Sequence, residues 1–327
     1  MHVAAARGRG GRVNDIDKNL FDEASDDRTP PSFLVGGGAS GKLIRSRNWA
    51  ETPFGDPETW PQSLRSAVSI CLGTNFPIAI YWGPELALLY NDAWSDIPGE
   101  KHPWALGRPG REVWPEIWDT IGPLFEKVLS TGEGVWQQDQ LLPMHRHGYT
   151  EECYFNFTFS PIRGENGGSE GIFNAVVETT FQVIGERRER ALRELAEHLA
   201  TARSEQDVLS AALSMLGSKV EDVPFCALFM AADDGSTQRL VGTAGSEVDG
   251  NKLLPLGNST DPRPFVVEDL AEVLGRKTPS QAWPEPVDRA LAVPFGTVVR
   301  LTQSSFHHPL QRRFRSRIFS HCQHGRR

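Results

Sequence analysis

The chain has 327 residues, enough for two domains of ordinary size, and its hydrophobic share of 39% and charged share of 23% are typical of soluble globular proteins. Its formal net charge of −8 argues against nucleic acid as the main partner, and no apolar run approaches the length of a membrane span. The four cysteines are far apart and form no Cys-x-x-Cys pair, which argues against a zinc site or a disulfide framework and favours a reducing cytoplasm.

Residues 1–40 are rich in Gly, Arg and Asp and predict a disordered leader. They run into the segment Gly36–Lys42, which imitates a phosphate-binding loop with its Gly-x4-Gly-Lys pattern. A phosphate loop needs a hydroxyl after the Lys to hold magnesium, but Leu43 stands there. We therefore expect a flexible linker, and a nucleotide-binding enzyme built on this loop is the less favoured alternative.

Residues 41–180 alternate between strand-like and helix-like patterns and predict one α+β domain. Two amphipathic helices are expected at 63–72 and 117–129, the second ended by Gly132. The five predicted strands are, in chain order, residues 76–82, 86–91, 135–142, 152–162 and 172–180. The fourth strand is the clearest, because Cys153 and three phenylalanines alternate with polar residues. An antiparallel five-stranded sheet with flanking helices fits this order.

Residues 181–203 predict a helix, since they contain no Pro, one Gly and many strong helix formers. Leu192, Leu195 and Leu199 repeat at spacings of three and four and form one apolar seam. One interpretation is an amphipathic helix packed on its own domain. The other is a signalling helix that pairs with its copy in a dimer and links two domains. The pair Ser204 and Asp207 predicts a new helix start at the end of this segment.

Residues 204–299 predict a second, smaller α+β domain with short strands near 224–230, 239–244, 265–270 and 290–295. After Asp288 the sequence contains no acidic residue, and residues 300–327 are rich in Arg and His without a sustained period. We expect this basic tail not to be natively folded, as in a truncated or frame-shifted product. The alternative is a genuine tail that docks on nucleic acid or anionic lipid.

Several long motifs resemble the PAS domains of soluble bacterial sensor histidine kinases. They are Tyr90-Asn91-Asp92-Ala93, Gly99-Glu100-Lys101-His102-Pro103, Leu106-Gly107-Arg108-Pro109, Val113-Trp114-Pro115-Glu116-Ile117-Trp118 and Glu178-Thr179-Thr180. In that family a PAS domain is followed by a GAF domain and a kinase core. The resemblance implies a PAS domain, a linker helix and a partial GAF domain in a cytoplasmic homodimer. It also implies a parent kinase that signals to a response regulator.

The resemblance implies a sensory input module that binds a small-molecule signal or a partner, and the alternative is a ligand-free dimerisation scaffold. We find neither the phosphoacceptor box nor the ATP motifs of a kinase, so we expect no enzyme activity and no catalytic residue. In PAS folds the sheet and the short helices enclose a cleft. The candidate cleft residues, whose alternative is plain core packing, are Tyr90, Trp114, Phe155, Phe157 and Phe173.

The remaining candidate residues predict ordinary structural roles. His145 and His147 are expected in a turn, Cys153 as a buried packing thiol and His198 on a solvated helix face. We therefore infer no metal site and no cofactor. A membrane partner is not expected either.

Overall fold

The computed structural model describes residues 30–231, 238–253 and 263–293. It divides the chain into two compact units, with the division between Ile184 and Gly185. The predicted leader up to residue 29 and the basic tail lie outside the described residues. Within the described ranges, no helix has both the length and the apolar character needed to cross a membrane.

The first unit is built on an antiparallel sheet of five strands. These strands are β1 (Ile78–Trp82), β2 (Ala87–Tyr90), β3 (Val135–Leu141), β6 (Tyr154–Arg163) and β7 (Ser169–Glu178). Their order across the sheet is β2-β1-β7-β6-β3. A short hairpin of β4 (Met144–Arg146) and β5 (Tyr149–Glu151) interrupts the sequence between β3 and β6. The predicted sheet and its five strands are confirmed.

The helices of the first unit are α1 (Gly38–Ser46), α2 (Gln62–Gly73), α3 (Gly110–Val113) and α4 (Trp118–Thr131). The helices α2 and α4 pack on the sheet and agree with the two helices predicted at 63–72 and 117–129. The helix α4 ends at Gly132, whose φ of 67° is the left-handed conformation expected of a C-terminal glycine. Its Phe125 ring lies 4.4 Å from that of Phe159, centroid to centroid. Thus α4 packs on the face of the sheet that carries Phe155, Phe157 and Phe159, called here the inner face.

The glycine-rich segment before residue 46 is not a flexible linker. It forms α1, and Ile44 of this helix is almost fully buried. The Asp92 carboxylate accepts hydrogen bonds from the first amides of the helix, from Ala39 N at 2.9 Å and from Ser40 N at 2.5 Å. A carboxylate at a helix N-terminus satisfies free N–H groups and complements the helix dipole. Two amides at the helix N-terminus that a phosphate would need, those of Ala39 and Ser40, are therefore already engaged by Asp92.

The predicted helix after the sheet is present as α5 (Thr180–Thr201), and α6 (Glu205–Gly217) follows it. Ser204 and Asp207 form a reciprocal capping box, so the predicted start of the second helix is confirmed. Leu195 is 4% exposed and packs with Ala191 and Met215 in one cluster of the second unit. The helix therefore buries part of its apolar face within its own chain.

The described part of the second unit contains two pairs of antiparallel strands. They are β8 (Phe225–Ala231) with β9 (Gln238–Gly245), and β10 (Phe265–Val267) with β11 (Ala290–Ala292). A short helix, α7 (Leu270–Leu274), contributes two buried leucines to a small core with Leu253 and Val267. The predicted strands are present, while the assignment of this unit to a GAF domain stays a prediction.

Candidate functional site

A cavity of about 40 Å³ lies between the inner face of the sheet and the segments that connect β2 to α4. The sheet contributes Phe155, Phe157 and Phe159, which the two-residue period of β6 places on one face. The opposite wall includes Trp94 and Trp114 from the connecting segments. The site is therefore lined mostly by aromatic and aliphatic side chains.

Three of the five predicted cleft residues line this cavity, namely Trp114, Phe155 and Phe157. The other two, Tyr90 and Phe173, are not among its lining residues. Tyr90 is buried elsewhere in the core, where its hydroxyl is 2.9 Å from His102 Nδ1. Phe173 is half-buried. Its neighbour Asn174 lines the cavity, and because adjacent residues of a strand point to opposite faces, Phe173 faces away from the cavity.

Tyr81, Trp94 and Asn174 line the cavity and were missed in the sequence. Tyr81 belongs to β1, which is buried along its whole length, so no alternation marks its inward residues. Trp94 lies in a short turn after β2, where no period exists. Asn174 lies in β7, whose two faces both carry apolar residues, so the sequence does not show which face is turned inward.

These three missed residues supply polar groups to the cavity wall. Tyr81 Oη accepts a hydrogen bond of 3.0 Å from Trp114 Nε1, and Asn174 Nδ2 donates to the Thr158 carbonyl at 3.2 Å. Trp94 Nε1 is buried and has no hydrogen-bond partner among the described residues. Burial raises the pKa of Tyr81, which the hydrogen bond from Trp114 lowers only in part, so the hydroxyl stays neutral. None of the described residues that line the cavity is charged.

Lys101 and Glu116 tie together three segments that form the cavity wall. Lys101 Nζ donates to the Val113 carbonyl at 2.7 Å and to Glu116 Oε1 at 2.5 Å, and it lies 4.8 Å from the centre of the Trp114 ring. Glu116 Oε1 also accepts from the backbone N–H of His145 in β4 at 3.0 Å. This network therefore helps to fix the positions of Trp114 and of Met144, which both line the cavity.

The family assignment agrees with this sheet and cavity. Residues 78–184 match the family model of the PAS fold. This segment is a PAS domain. The match begins at the first residue of β1 and ends within the first turns of α5.

Solved structures similar to the chain include sensory proteins. A sensory box sensor histidine kinase from Vibrio cholerae is 20% identical, with 37% of this chain and 97% of that one covered and a TM-score of 0.25. The PAS domain of BvgS from Bordetella pertussis is 21% identical, with 38% and 92% covered and a TM-score of 0.29. A LOV protein from Rhodobacter sphaeroides is 13% identical, with 47% and 90% covered and a TM-score of 0.31. These TM-scores are low, so the assignment rests on the family match.

Arg146 connects the hairpin beside the cavity to the last strand of the PAS domain. Its side chain is 8% exposed, and its Nε donates to Glu151 at 2.7 Å while its Nη2 donates to Glu178 at 2.9 Å. A third bond of 3.3 Å reaches the carbonyl of Ile97, a cavity-lining residue. Burial alone would lower the pKa of Arg146, but the hydrogen bond and charge of Glu178 outweigh it, so the pKa is raised and the side chain remains charged.

The corner between β7 and α5 is also held by side chains. Thr179 Oγ1 donates to Asp139 at 2.8 Å, and Thr180 Oγ1 donates to Glu178 Oε1 at 2.7 Å. Thr180 Oγ1 accepts from Tyr154 N at 3.0 Å. Glu178 Oε1 thus binds a hydroxyl of the first residue of α5 as well as the guanidinium that reaches the cavity wall.

The other candidate residues occupy structural positions. His145 and His147 belong to the β4–β5 hairpin, with His147 in its turn at a φ of 61°. Among the described residues, no group of three side chains could hold a metal ion. Cys153 is fully buried, and burial raises the pKa of its thiol to about 12, which keeps it protonated. His198 lies on an exposed face of α5, as predicted.

Proposed function

We propose that this chain is the sensory input part of a two-component sensor histidine kinase and that a signal bound at its PAS domain is transmitted through α5. One observation carries the proposal. Met144 of β4 lines the cavity, Arg146 of the same strand binds Glu178, and Glu178 binds the first residue of α5. A continuous set of contacts therefore leads from the cavity wall to the helix that leaves the domain.

The strength of these hydrogen bonds explains why a movement of the cavity wall would also move the start of α5. A hydrogen bond to a charged group contributes about 1.5–3 kcal/mol, and leaving a buried charge without its partner costs more than that. If β4 moves, Arg146 must either carry Glu178 with it or lose that bond. A ligand drives the change only if it binds one of the two arrangements better.

The second candidate function is an interaction scaffold without a ligand. The size of the cavity favours it, because about 40 Å³ is far below the roughly 300–1,000 Å³ of ordinary ligand pockets. In this alternative the PAS domain only pairs with a second copy or another protein. Thermal stabilisation by a small molecule would support the sensor and argue against the scaffold.

The wider assembly belongs to the same proposal. The order of the sequence motifs supports a GAF-like second unit, a homodimer and signalling to a response regulator. The described part of the second unit has antiparallel strand pairs and helices compatible with such a domain. The PAS domain itself has a sensory rather than a catalytic role.

Amide hydrogen exchange at the start of α5 tests the connection. Replacing Arg146 with Met removes the charged bonds, so we expect the amides of residues 179–184 to exchange about tenfold faster while those of α4 stay unchanged. Arg163→Met is the matched control, because the contacts of Arg163 within the described part of the chain are with the carbonyls of Gly132 and Gly167, at the other end of the sheet. Unchanged exchange at α5 in Arg146→Met would refute transmission through this contact.

A further inference from the structure

The outer face of the PAS sheet, opposite the inner face, is covered by a helix on one half only. Ile80 of β1 and its partner Leu89 of β2 lie on this face, since Tyr81 next to Ile80 lines the cavity on the other face. Both are fully buried, because α2 packs against β1 and β2. On the other half, Trp136 of β3 is 60% exposed and Val177 of β7 is 40% exposed. The outward residues of this half, called here the open face, are Trp136, Leu141, Asn156, Thr158, Ala175 and Val177.

Strand pairing makes the open face continuous. Trp136 lies opposite Thr158 of β6, and Val177 lies opposite Asn156, two residues away on the same strand. With strands about 4.8 Å apart and about 3.3 Å per residue along a strand, the two exposed side chains are attached about 12 Å from each other. The outward residues between them, Asn156, Thr158 and Ala175, carry no charge. The open face is therefore an uncharged surface that carries exposed apolar side chains.

We propose that the open face pairs with the open face of a second copy of this chain. The inference rests on the proposed function, since it names the surface by which the proposed homodimer forms. A two-fold interface uses the same patch on both copies. Because the open face is uncharged, two copies of it meet without the like-charge repulsion that a charged patch would cause.

The apolar seam of α5 is mostly covered within its own chain, so it does not supply this interface. Leu195 is 4% exposed, and Leu199 packs against the same cluster of the second unit, which also holds Met215. Of the three leucines predicted to pair between copies, only Leu192 is exposed, by 43%. A homodimer therefore needs another apolar surface, and Trp136 is both larger and more exposed than Leu192.

The size of the open face fits the centre of a dimer interface. Three strands about 4.8 Å apart and six residues at about 3.3 Å each give an area of roughly 280 Å². A stable interface buries about 800 Å² on each partner, and its fully buried centre is the most apolar part. The open face supplies about a third of that area, and the polar surface around it supplies the rest. Tryptophan is among the residue types that carry most binding energy at such centres.

The open face is also connected to the start of α5. Asn156 Oδ1 accepts a hydrogen bond of 2.6 Å from the backbone N–H of Asp139, at the irregularity of β3. The Asp139 carboxylate in turn accepts from Thr179 Oγ1 at 2.8 Å, one residue before α5 begins. A second copy on the open face restricts Asn156 and, through it, these bonds. Pairing therefore stabilises the start of α5.

Sedimentation equilibrium of the whole chain tests the pairing. We expect the wild type to pass from monomer to dimer between about 1 and 100 µM, the range of moderate affinities. Trp136→Glu should raise the dissociation constant of the dimer about thirtyfold, the loss expected at a central tryptophan. Because Trp136 is 60% exposed, the variant should stay folded, which unchanged amide exchange in α4 would show. Leu192→Glu is the matched control, with the same change at an exposed residue outside the open face, and it should leave the dissociation constant unchanged.

Three further measurements make the outcome specific. Val177→Glu places a charge on the opposite side of the open face and should raise the dissociation constant about tenfold. Residues 30–184 hold 10 Lys and Arg against 18 Asp and Glu, so two copies repel each other at long range and added salt should strengthen the dimer. Amides of residues 179–184 should exchange about threefold more slowly at the higher chain concentration in the wild type, and not in Trp136→Glu.

A wild type that stays monomeric at the higher concentration would overturn the inference. So would a dimer that Trp136→Glu leaves intact, or one that Leu192→Glu alone dissociates. Dissociation by added salt would also contradict it, because opposite charges rather than an uncharged face would then hold the copies together. In each case faster exchange at the start of α5 in Arg146→Met would leave the proposed sensory function standing, so the two failures are distinguishable.

Discussion

Phe157 offers the sharpest test of how the inner face of the sheet is assigned. Its side chain is 2% exposed, and its ring centroid lies 4.7 Å from that of Phe159. Full burial of such a side chain contributes about 1.5–3 kcal/mol, and an aromatic pair about 0.5–1.5 kcal/mol more. Phe157→Ala would also enlarge the adjacent cavity. We therefore expect the free energy of unfolding of the first unit to fall by about 3–5 kcal/mol, the range of large core deletions.

Urea denaturation followed by tryptophan fluorescence measures this loss in the whole chain. Of the nine tryptophans, all but Trp283 precede residue 184, so the signal reports mainly on the first unit. Phe173→Ala is the matched control, since Phe173 is half-buried on the opposite face, and it should cost only about 1–2 kcal/mol. A loss below about 1 kcal/mol in Phe157→Ala, or equal losses in both variants, would refute the assignment of the inner face.

Three further changes test other parts of the chain. Burial alone would raise the pKa of Asp92, but the amide hydrogen bonds that it accepts in α1 outweigh this and lower it. Asp92→Asn should therefore cost about 1 kcal/mol in thermal unfolding at neutral pH, and the difference from wild type should disappear as the pH falls through the lowered pKa of Asp92. Lys42→Ala should change neither stability nor ATP binding measured by equilibrium dialysis, and wild-type binding lost in the variant would contradict this. Leu195→Glu should unfold the second unit, because it places a charge at a buried position. Leu192→Glu should leave that unit folded, because Leu192 is 43% exposed. Circular dichroism measures the helix content of both variants. If sedimentation shows that the wild type is a dimer and that Leu192→Glu is a folded monomer, the dimer interface includes Leu192.

The strand β6 could be oriented from sequence, while β7 could not. Three phenylalanines of β6 alternate with polar residues, so only one face can be buried. In β7 both faces are apolar, with Ile172 and Val176 on one and Phe173 and Ala175 on the other. Only the pairing of Val176 with Phe157 decides which set faces the cavity. That pairing is a tertiary fact, which explains why Phe173 was placed in the cleft.

The apolar seam of α5 shows a similar limit. Helical spacing identified Leu192, Leu195 and Leu199 as one side of the helix but not what covers them. In the structure α6 of the same chain supplies part of the cover through Met215. The contact of Arg146 with Glu178 was equally out of reach, because 32 positions separate the two residues. Patterns within one element predict which residues are buried, whereas partners from distant segments follow only from the fold.

The contact between Asp92 and α1 has a consequence for how glycine-rich motifs are interpreted. A side chain on Gly38, whose φ is 57°, would run into the Asp92 carboxylate, and one on Gly41 would run into the carbonyl oxygen of Gly36. A phosphate that approaches a helix N-terminus makes the same steric and electrostatic demands. A carboxylate of the same protein and the phosphate of a bound nucleotide can therefore each require glycines at the same positions. The glycine motif alone does not distinguish a nucleotide-binding loop from a helix capped by an internal carboxylate. The distinguishing feature is a carboxylate from another segment of the same protein that binds the helix N-terminus.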